Sequence, residues 1–191
     1  MDNKRNWLVL FIGGASGTGK STLAYEIGKF YGINVIEVDD IGQALKVSTT
    51  KDTFPNIHFW SGGTNWKDIG VEGCKNWLIN ESKEYNFPLK AIVNRHIEDN
   101  VPIIIEGDFL NPEFTGSFNN ITVESIFVIE SNKEQIIENF LKREGGNPQE
   151  YRAEISIAYG NWLKNECEKE NIIFIKSRPW NNLLERVIKI V

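Results

Sequence analysis

Cysteine is nearly absent from this chain: among 191 residues there are two, Cys74 and Cys167, in no metal-ligand spacing such as C-x-x-C. A disulfide framework and a thiolate zinc site are both excluded, and buried thiols in a reducing cytosol are expected. There is no excess of positive charge: 21 Lys and Arg face 26 Asp and Glu, a net charge of −5. That balance argues against nonspecific binding to nucleic acid or to an anionic membrane surface. Long hydrophobic runs are lacking too. The most apolar stretch near the start, Trp7–Ile12, falls far short of the ~18 residues of a membrane span, and no small-residue cleavage signal follows it. Neither internal repeat, low-complexity tract nor linker interrupts the chain. With 41% hydrophobic and 25% charged residues, a single domain spanning residues 1–191 with a full core is expected.

What is present is an alternation of two patterns. Trp7–Ile12, closed by Gly13-Gly14, has the continuous apolar run of a strand buried on both faces. From Ser21 to Tyr31, Leu23, Ala24, Ile27 and Phe30 recur at helical spacing, and Gly32 supplies a stop. Further strands are predicted at 34–38, 102–105, 125–129 and 172–175. Helices are predicted over 71–85, 89–99, 133–143, 153–169 and 183–190. Strands separated by helices imply an α/β fold with a parallel sheet and helices on both faces. Between Val47 and Gly70 the periodicity vanishes, and His58, Phe59, Trp60 and Trp66 stand among Ser, Thr, Gly and Asn. A loop of that length is expected to carry function, and residues 47–99 are assigned to acceptor binding.

The strongest motif is Gly14-Ala15-Ser16-Gly17-Thr18-Gly19-Lys20-Ser21, which matches G-x-x-x-x-G-K-[ST] in full between a buried strand and an amphipathic helix. Glycines let consecutive N–H groups turn inward around a phosphate, and the following helix points its unpaired N–H groups at the same anion. Lys20 adds a charge for the β- and γ-phosphates, and the Ser21 hydroxyl is placed to ligate Mg²⁺. At ordinary residue frequencies a chance match in such a chain arises about one time in a hundred. Nucleotide triphosphate binding is therefore expected at Gly14–Thr22.

Carboxylates that end strands fall at the carboxyl edge of a parallel sheet, where ligands bind. Asp39 and Asp40 follow the second strand, and Glu106 and Asp108 follow the third, with Gly107 between them. Asp39-Asp40 are equally suited to capping a helix that starts near Ile41. Lys142-Arg143, Gly145-Gly146 and Arg152 mark a hinged basic segment, and guanidinium matches phosphate geometry. His58 and His96 lack partners at useful spacing and are expected to pack or sit on the surface. Trp77 lies on a helical face, where a core position is expected more than a pocket wall.

These motifs resemble the P-loop kinases, the superfamily of adenylate, shikimate and gluconate kinases. Within it the chain is most similar to 2-phosphoglycerate kinase-like and to zeta-toxin or chloramphenicol-phosphotransferase-like proteins. The resemblance is carried by residues 13–22, by Val38-Asp39-Asp40-Ile41, and by Ile105-Glu106-Gly107 through Asn111-Pro112. It implies a three-layer α/β/α sandwich with a five-stranded parallel sheet in the order 2-3-1-4-5 and a short lid at 143–152. It also implies an ATP-dependent phosphotransferase using Mg²⁺ and a small hydroxyl-bearing acceptor, 2-phosphoglycerate-like among the possibilities. In that reading Asp39, or failing it Asp40, is the base, and Glu106 or Asp108 serves the metal together with Ser21. Arg143 or Arg152 closes over the phosphates with Lys20, and Arg178 stacks on the adenine. A zeta-toxin-like or antibiotic phosphotransferase shares this chemistry. A guanine-nucleotide switch fits less well: Asn132-Lys133-Glu134-Gln135 ends in Gln where N-K-x-D needs Asp, and Asp39–Gly42 spells D-x-x-G too early in the chain.

Overall fold

The computed structural model describes residues 5–118 and 122–191. Five parallel strands form one sheet in the order β2-β3-β1-β4-β5: β1 Val9–Gly13, β2 Val35–Glu37, β3 Ile103–Gly107, β4 Val123–Ile129 and β5 Ile173–Lys176. The central strand β1 pairs with β3 on one side and β4 on the other, so it has no solvent face, and Val9, Leu10, Phe11 and Ile12 are fully buried. Its alternate residues feed two cores. Val9 and Phe11 join Ile103, Ile105, Phe127, Tyr159 and Leu163 on one face. Leu10 and Ile12 join Leu23, Ile27, Ile104, Val128 and Val187 on the other. That period of two on both faces explains the unbroken apolar run, and it builds the three layers.

Among the described residues there are eight α-helices, seven between the strands and one after β5: α1 Lys20–Tyr31, α2 Val38–Ser48, α3 Trp66–Glu84, α4 Asn86–Glu98, α5 Pro112–Gly116, α6 Lys133–Glu144, α7 Glu150–Glu170 and α8 Leu183–Ile188. Gly32, with φ 69°, closes α1 in the left-handed conformation that glycine takes without cost. Asn111 caps α5 by accepting from the Glu113 N–H, with Pro112 at the first helical position. Among the described residues no helix is long and apolar enough to cross a membrane.

Two expectations are corrected. The helix after β2 starts at Val38, not near Ile41, because the strand runs into it without a loop. Asp39 and Asp40 therefore lie in its first turn and make no capping hydrogen bond. The aperiodic region is also shorter than 47–70: α2 continues to Ser48 and α3 begins at Trp66, capped by Asn65, which accepts from the Lys67 N–H. The pattern was hidden by a break inside α3 at Gly70 (φ 70°, ψ 173°), which offsets the two halves of the helix.

Candidate active site

The loop from Gly13 to Lys20 leaves the carboxyl end of β1 and enters α1, whose N-cap, Gly19, brings no side chain to its free N–H groups. Two glycines are required by conformation and by space. Gly17 (φ 80°) lies against the Phe140 ring of α6, and a Cβ on Gly19 (φ 88°) would overlap the Trp180 ring beyond β5. The loop is further tied by Thr18 Oγ1 donating to the Ala15 carbonyl at 2.9 Å and by Asn139 Nδ2 donating to the Gly17 carbonyl at 2.8 Å. Phe140, Trp180 and Asn139 were not legible as site residues, since each comes from another element more than a hundred residues away.

Lys20 is 7% exposed and forms an ion pair with Asp108. Burial works against its charge, but Asp108, Glu106 and Asp39 together hold its pKa above the usual lysine value. Glu106 is 3% exposed. Burial pushes its pKa up to about 7, against the pull of Lys20 and of a hydrogen bond with Ser21. Its Oε2 is buried without a hydrogen-bond partner among the described residues. The β1–β3 register sets Gly107 beside Gly13, so both carboxylates of the Glu106–Asp108 turn arrive at the phosphate loop.

Gly107 has a second role. A Cβ there would overlap the Val38 side chain, so its absence lets the start of α2 pack directly on the end of β3. That contact brings Asp39 to Asp108 and Lys20. Desolvation, then the Asp108 charge, raise the Asp39 pKa, and Lys20 partly offsets them. Asp39 lines a cavity of about 390 Å³ with Ser16, Asp108, Arg152, Trp60, Trp66, Trp77 and Tyr159; both Asp39 and Asp40 are exposed, but Asp40 does not line it. Tyr159, a buried residue of α7, donates its hydroxyl to the Asp108 carbonyl at 2.9 Å and steadies the turn. Nothing in its helical spacing separated it from ordinary core.

The basic residues divide. Arg152 lies 4.3 Å from the Phe140 ring centroid, pairs with Glu144 and reaches Ser16 Oγ at 3.4 Å, at the cavity's edge. Arg143 also pairs with Glu144 and lies against Phe140, but it does not line the cavity. A hydrogen bond from Gln149, then those from Arg143 and Arg152, hold the Glu144 pKa down to about 2. Arg178 makes a two-point contact with buried Glu130, at 2.9 and 3.1 Å, and Ser177 donates to the same carboxylate at 2.7 Å. That pairing engages the edge of the guanidinium and fixes its orientation. Trp77 is corrected from core to pocket wall: it is half-buried and donates Nε1–H to the Asn56 carbonyl at 3.0 Å. Phe59 packs edge-on against Trp60 without lining the cavity. His96 bonds the Val101 carbonyl and His58 bonds Thr49, both outside the site. Asn132 spends its side chain capping α6 by accepting from the Gln135 N–H at 2.8 Å.

A gluconokinase from Sinorhizobium meliloti 1021 superposes on 97% of this chain and 92% of its own, with a TM-score of 0.58 and 16% identity. The fold is that of the P-loop kinases. No family model matches the sequence. Two proteins named 2-phosphoglycerate kinase are similar to it. The one from Methanopyrus kandleri is 32% identical over 110 residues, covering 55% of this chain and 33% of that protein. The one from Methanococcus vannielii is 28% identical over 123 residues, covering 59% and 39%. The chain thus spans between a third and two fifths of these relatives' length. Within the P-loop kinase fold, the glycine loop, Lys20, Asp39 and the Glu106–Asp108 turn all stand at one sheet edge.

Proposed function

We propose that this chain is an ATP-dependent kinase transferring the γ-phosphoryl group of Mg-ATP to a hydroxyl of a small acceptor. One observation carries the reading: Asp39 and Asp108 form the wall of a cavity that opens onto Ser16 of the phosphate loop and onto Arg152, with buried Lys20 behind them. A phosphoryl donor on the loop and an acceptor hydroxyl in the cavity would then meet beside a carboxylate. The similarity to 2-phosphoglycerate kinases supports the reaction type and makes 2-phosphoglycerate the first acceptor to assay.

In this reading the loop N–H groups and the start of α1 bind the polyphosphate, and Lys20 neutralises the β- and γ-oxygens. Binding requires Lys20 to exchange Asp108 for phosphate, which frees the Asp108 carboxylate toward the cavity. Asp39 accepts the acceptor's hydroxyl proton as the new O–P bond forms and the bond from the γ-phosphorus to the bridging oxygen breaks, releasing ADP. A carboxylate with a raised pKa is a stronger base than one in water, which suits Asp39 to the task. Arg152 is set to swing from Glu144 onto the transferring group, and residues 143–152 serve as the lid. Arg143 has the weaker geometric claim.

Among the described residues no cluster of three or more His, Cys, Asp or Glu side chains could hold a metal by itself. Mg²⁺ arriving with a nucleotide needs only one or two protein oxygens. Ser21 and Glu106 fit that need: both offer oxygens, they are joined by a hydrogen bond, and a cation would satisfy the unpartnered Glu106 oxygen. Asp108 would join them once Lys20 has exchanged it for phosphate. When bound, the ion would neutralise charge across the β- and γ-oxygens.

The test is calorimetry with ATP on the intact protein and on Lys20→Ala, followed by ADP release with 2-phosphoglycerate and other hydroxyl compounds. Binding abolished by Lys20→Ala, with acceptor-dependent ADP release lost in Asp39→Asn, supports the reading. Absence of ATP binding by the intact protein overturns it.

A further inference from the structure

A second cavity, of about 300 Å³, lies between α2 and α3 and shares Asp39, Trp60, Trp77 and Phe109 with the first. Phosphoryl transfer alone makes no use of it. Glu81 of α3 lines it and is 6% exposed. One carboxyl oxygen accepts from the Tyr85 hydroxyl at 3.3 Å, and the other, Oε2, is buried without a hydrogen-bond partner among the described residues. Such orphaned polar atoms are rare in native proteins because burying them unpaired is costly. Tyr85 is not free to shift and cover it. Its ring stacks on Phe109 at 5.1 Å, and its hydroxyl abuts Gly42 of α2, where a Cβ would overlap it.

Resting on the kinase reading above, we propose that this cavity is a second acceptor subsite, in which Glu81 binds an uncharged hydroxyl other than the one Asp39 activates, so that the acceptor is a polyol. The surrounding charge supports this. Asp39 and Lys46 face Glu81 from α2, Glu84 lies near it on α3, and Tyr85 lies at the junction of α3 and α4. Glu84 is occupied by the Asn56 and Ile57 N–H groups and the Asn56 amide. Carboxyl groups outnumber the single lysine, which makes a poor seat for a phosphate or carboxylate substituent. Trp60, Trp77 and Phe109 line the cavity with aromatic surface that suits the C–H groups of a sugar ring. Burial pushes the Glu81 pKa up to about 8, so near neutral pH its carboxyl keeps a proton and both donates and accepts, as a hydroxyl partner needs. A polyol departs from 2-phosphoglycerate, which has one hydroxyl, while keeping the same chemistry at the phosphate loop.

The experiment measures ADP release from Mg-ATP with D-ribose, adenosine and 2-phosphoglycerate in separate assays, which tells a free sugar from a nucleoside. We expect one of the two neutral compounds to be phosphorylated. Its KM should rise about tenfold in Glu81→Leu, with kcat and ATP affinity changed less than about twofold, and Glu81→Gln should recover most of the loss. Should Glu81→Leu not fold, deoxy analogues of the accepted compound read the same contact on the unaltered protein. A loss of affinity on removing a non-reacting hydroxyl supports the proposal, and no loss overturns it. An unchanged KM in a folded Glu81→Leu, preference for 2-phosphoglycerate, or turnover of neither neutral compound also overturns it. In each of those cases ATP binding that depends on Lys20 leaves the kinase reading standing, whereas loss of ATP binding by the intact protein removes both.

Discussion

The two halves of the candidate site are built on different physical plans. On the nucleotide side, the grip is backbone: glycine dihedrals, a bare helix start and one buried lysine, braced from behind by Phe140 and Trp180. On the acceptor side the wall is side chain, contributed by the segment around Trp60, by α3 and by α7, and it is partly open to solvent, with Trp66 39% exposed. A backbone grip is set by local geometry and tolerates almost no substitution. A side-chain wall is assembled from distant elements and can be altered in steps, so affinity there should change by degrees while nucleotide binding either holds or fails.

The sharpest way to break that contrast is Gly19→Val. The φ of 88° and the overlap with Trp180 act together, so nucleotide binding should vanish in calorimetry. Gly19→Ala combined with Trp180→Ala relieves the overlap but not the dihedral, whose cost is about 1–2 kcal/mol. Partial rather than full recovery is therefore expected. Full recovery would show that space, and not backbone conformation, sets the grip. Next in size is Asp39→Asn, which should lower kcat by about 10²–10⁴-fold while ATP affinity holds. A parallel loss of ATP affinity would place Asp39 in the nucleotide half instead.

The same contrast decides what was legible in the sequence. The phosphate loop could be read because its residues are contiguous and each has a local reason to be there. The sheet could be read because β1 and β3 are buried on both faces and show it as unbroken apolar runs. The start of α2 could not, since the pattern 34–38 suits a strand, and the packing of Val38 on Gly107 is a contact between residues far apart in sequence. Trp77 shows the limit on the acceptor side: its spacing is that of a core residue, and its wall position follows from where α3 meets the segment around Trp60. Glu81 gave no signal at all, being one carboxylate in a helix of mixed polarity.

The acceptor side should answer substitution by degrees. Trp77→Ala removes a wall shared by both cavities, together with the hydrogen bond to Asn56. An aromatic contact of this kind contributes roughly 0.5–1.5 kcal/mol, so acceptor KM should rise roughly two- to tenfold with ATP affinity intact. An all-or-none loss of acceptor turnover in a folded Trp77→Ala protein would mean that the wall is as rigid as the loop.

The smallest effect compares one buried carboxyl from each half. Burial raises Glu106 to about 7 and Glu81 to about 8, from an ordinary value of 4.5. Between 4.5 and those values the folded protein keeps protons that the unfolded chain has lost, so stability falls as pH rises through the window and levels off above it. The depressed groups Glu130 and Glu144 act in the opposite sense, but only below 4.5, where their loss of stability on acidification is felt. Urea midpoints of the nucleotide-free protein should therefore decline from about pH 5 to about pH 8, by a free energy on the order of a few kcal/mol. Glu106→Gln should remove the part of the decline that ends near 7, and Glu81→Gln the part that continues to about 8. Added Mg-ATP should flatten the Glu106 portion alone, because a cation beside that carboxylate favours its charged form while Glu81 lies in the other half of the site. A midpoint that stays flat over this window would mean that both carboxyls are ionised in the folded protein, and the two halves would then be alike in charge.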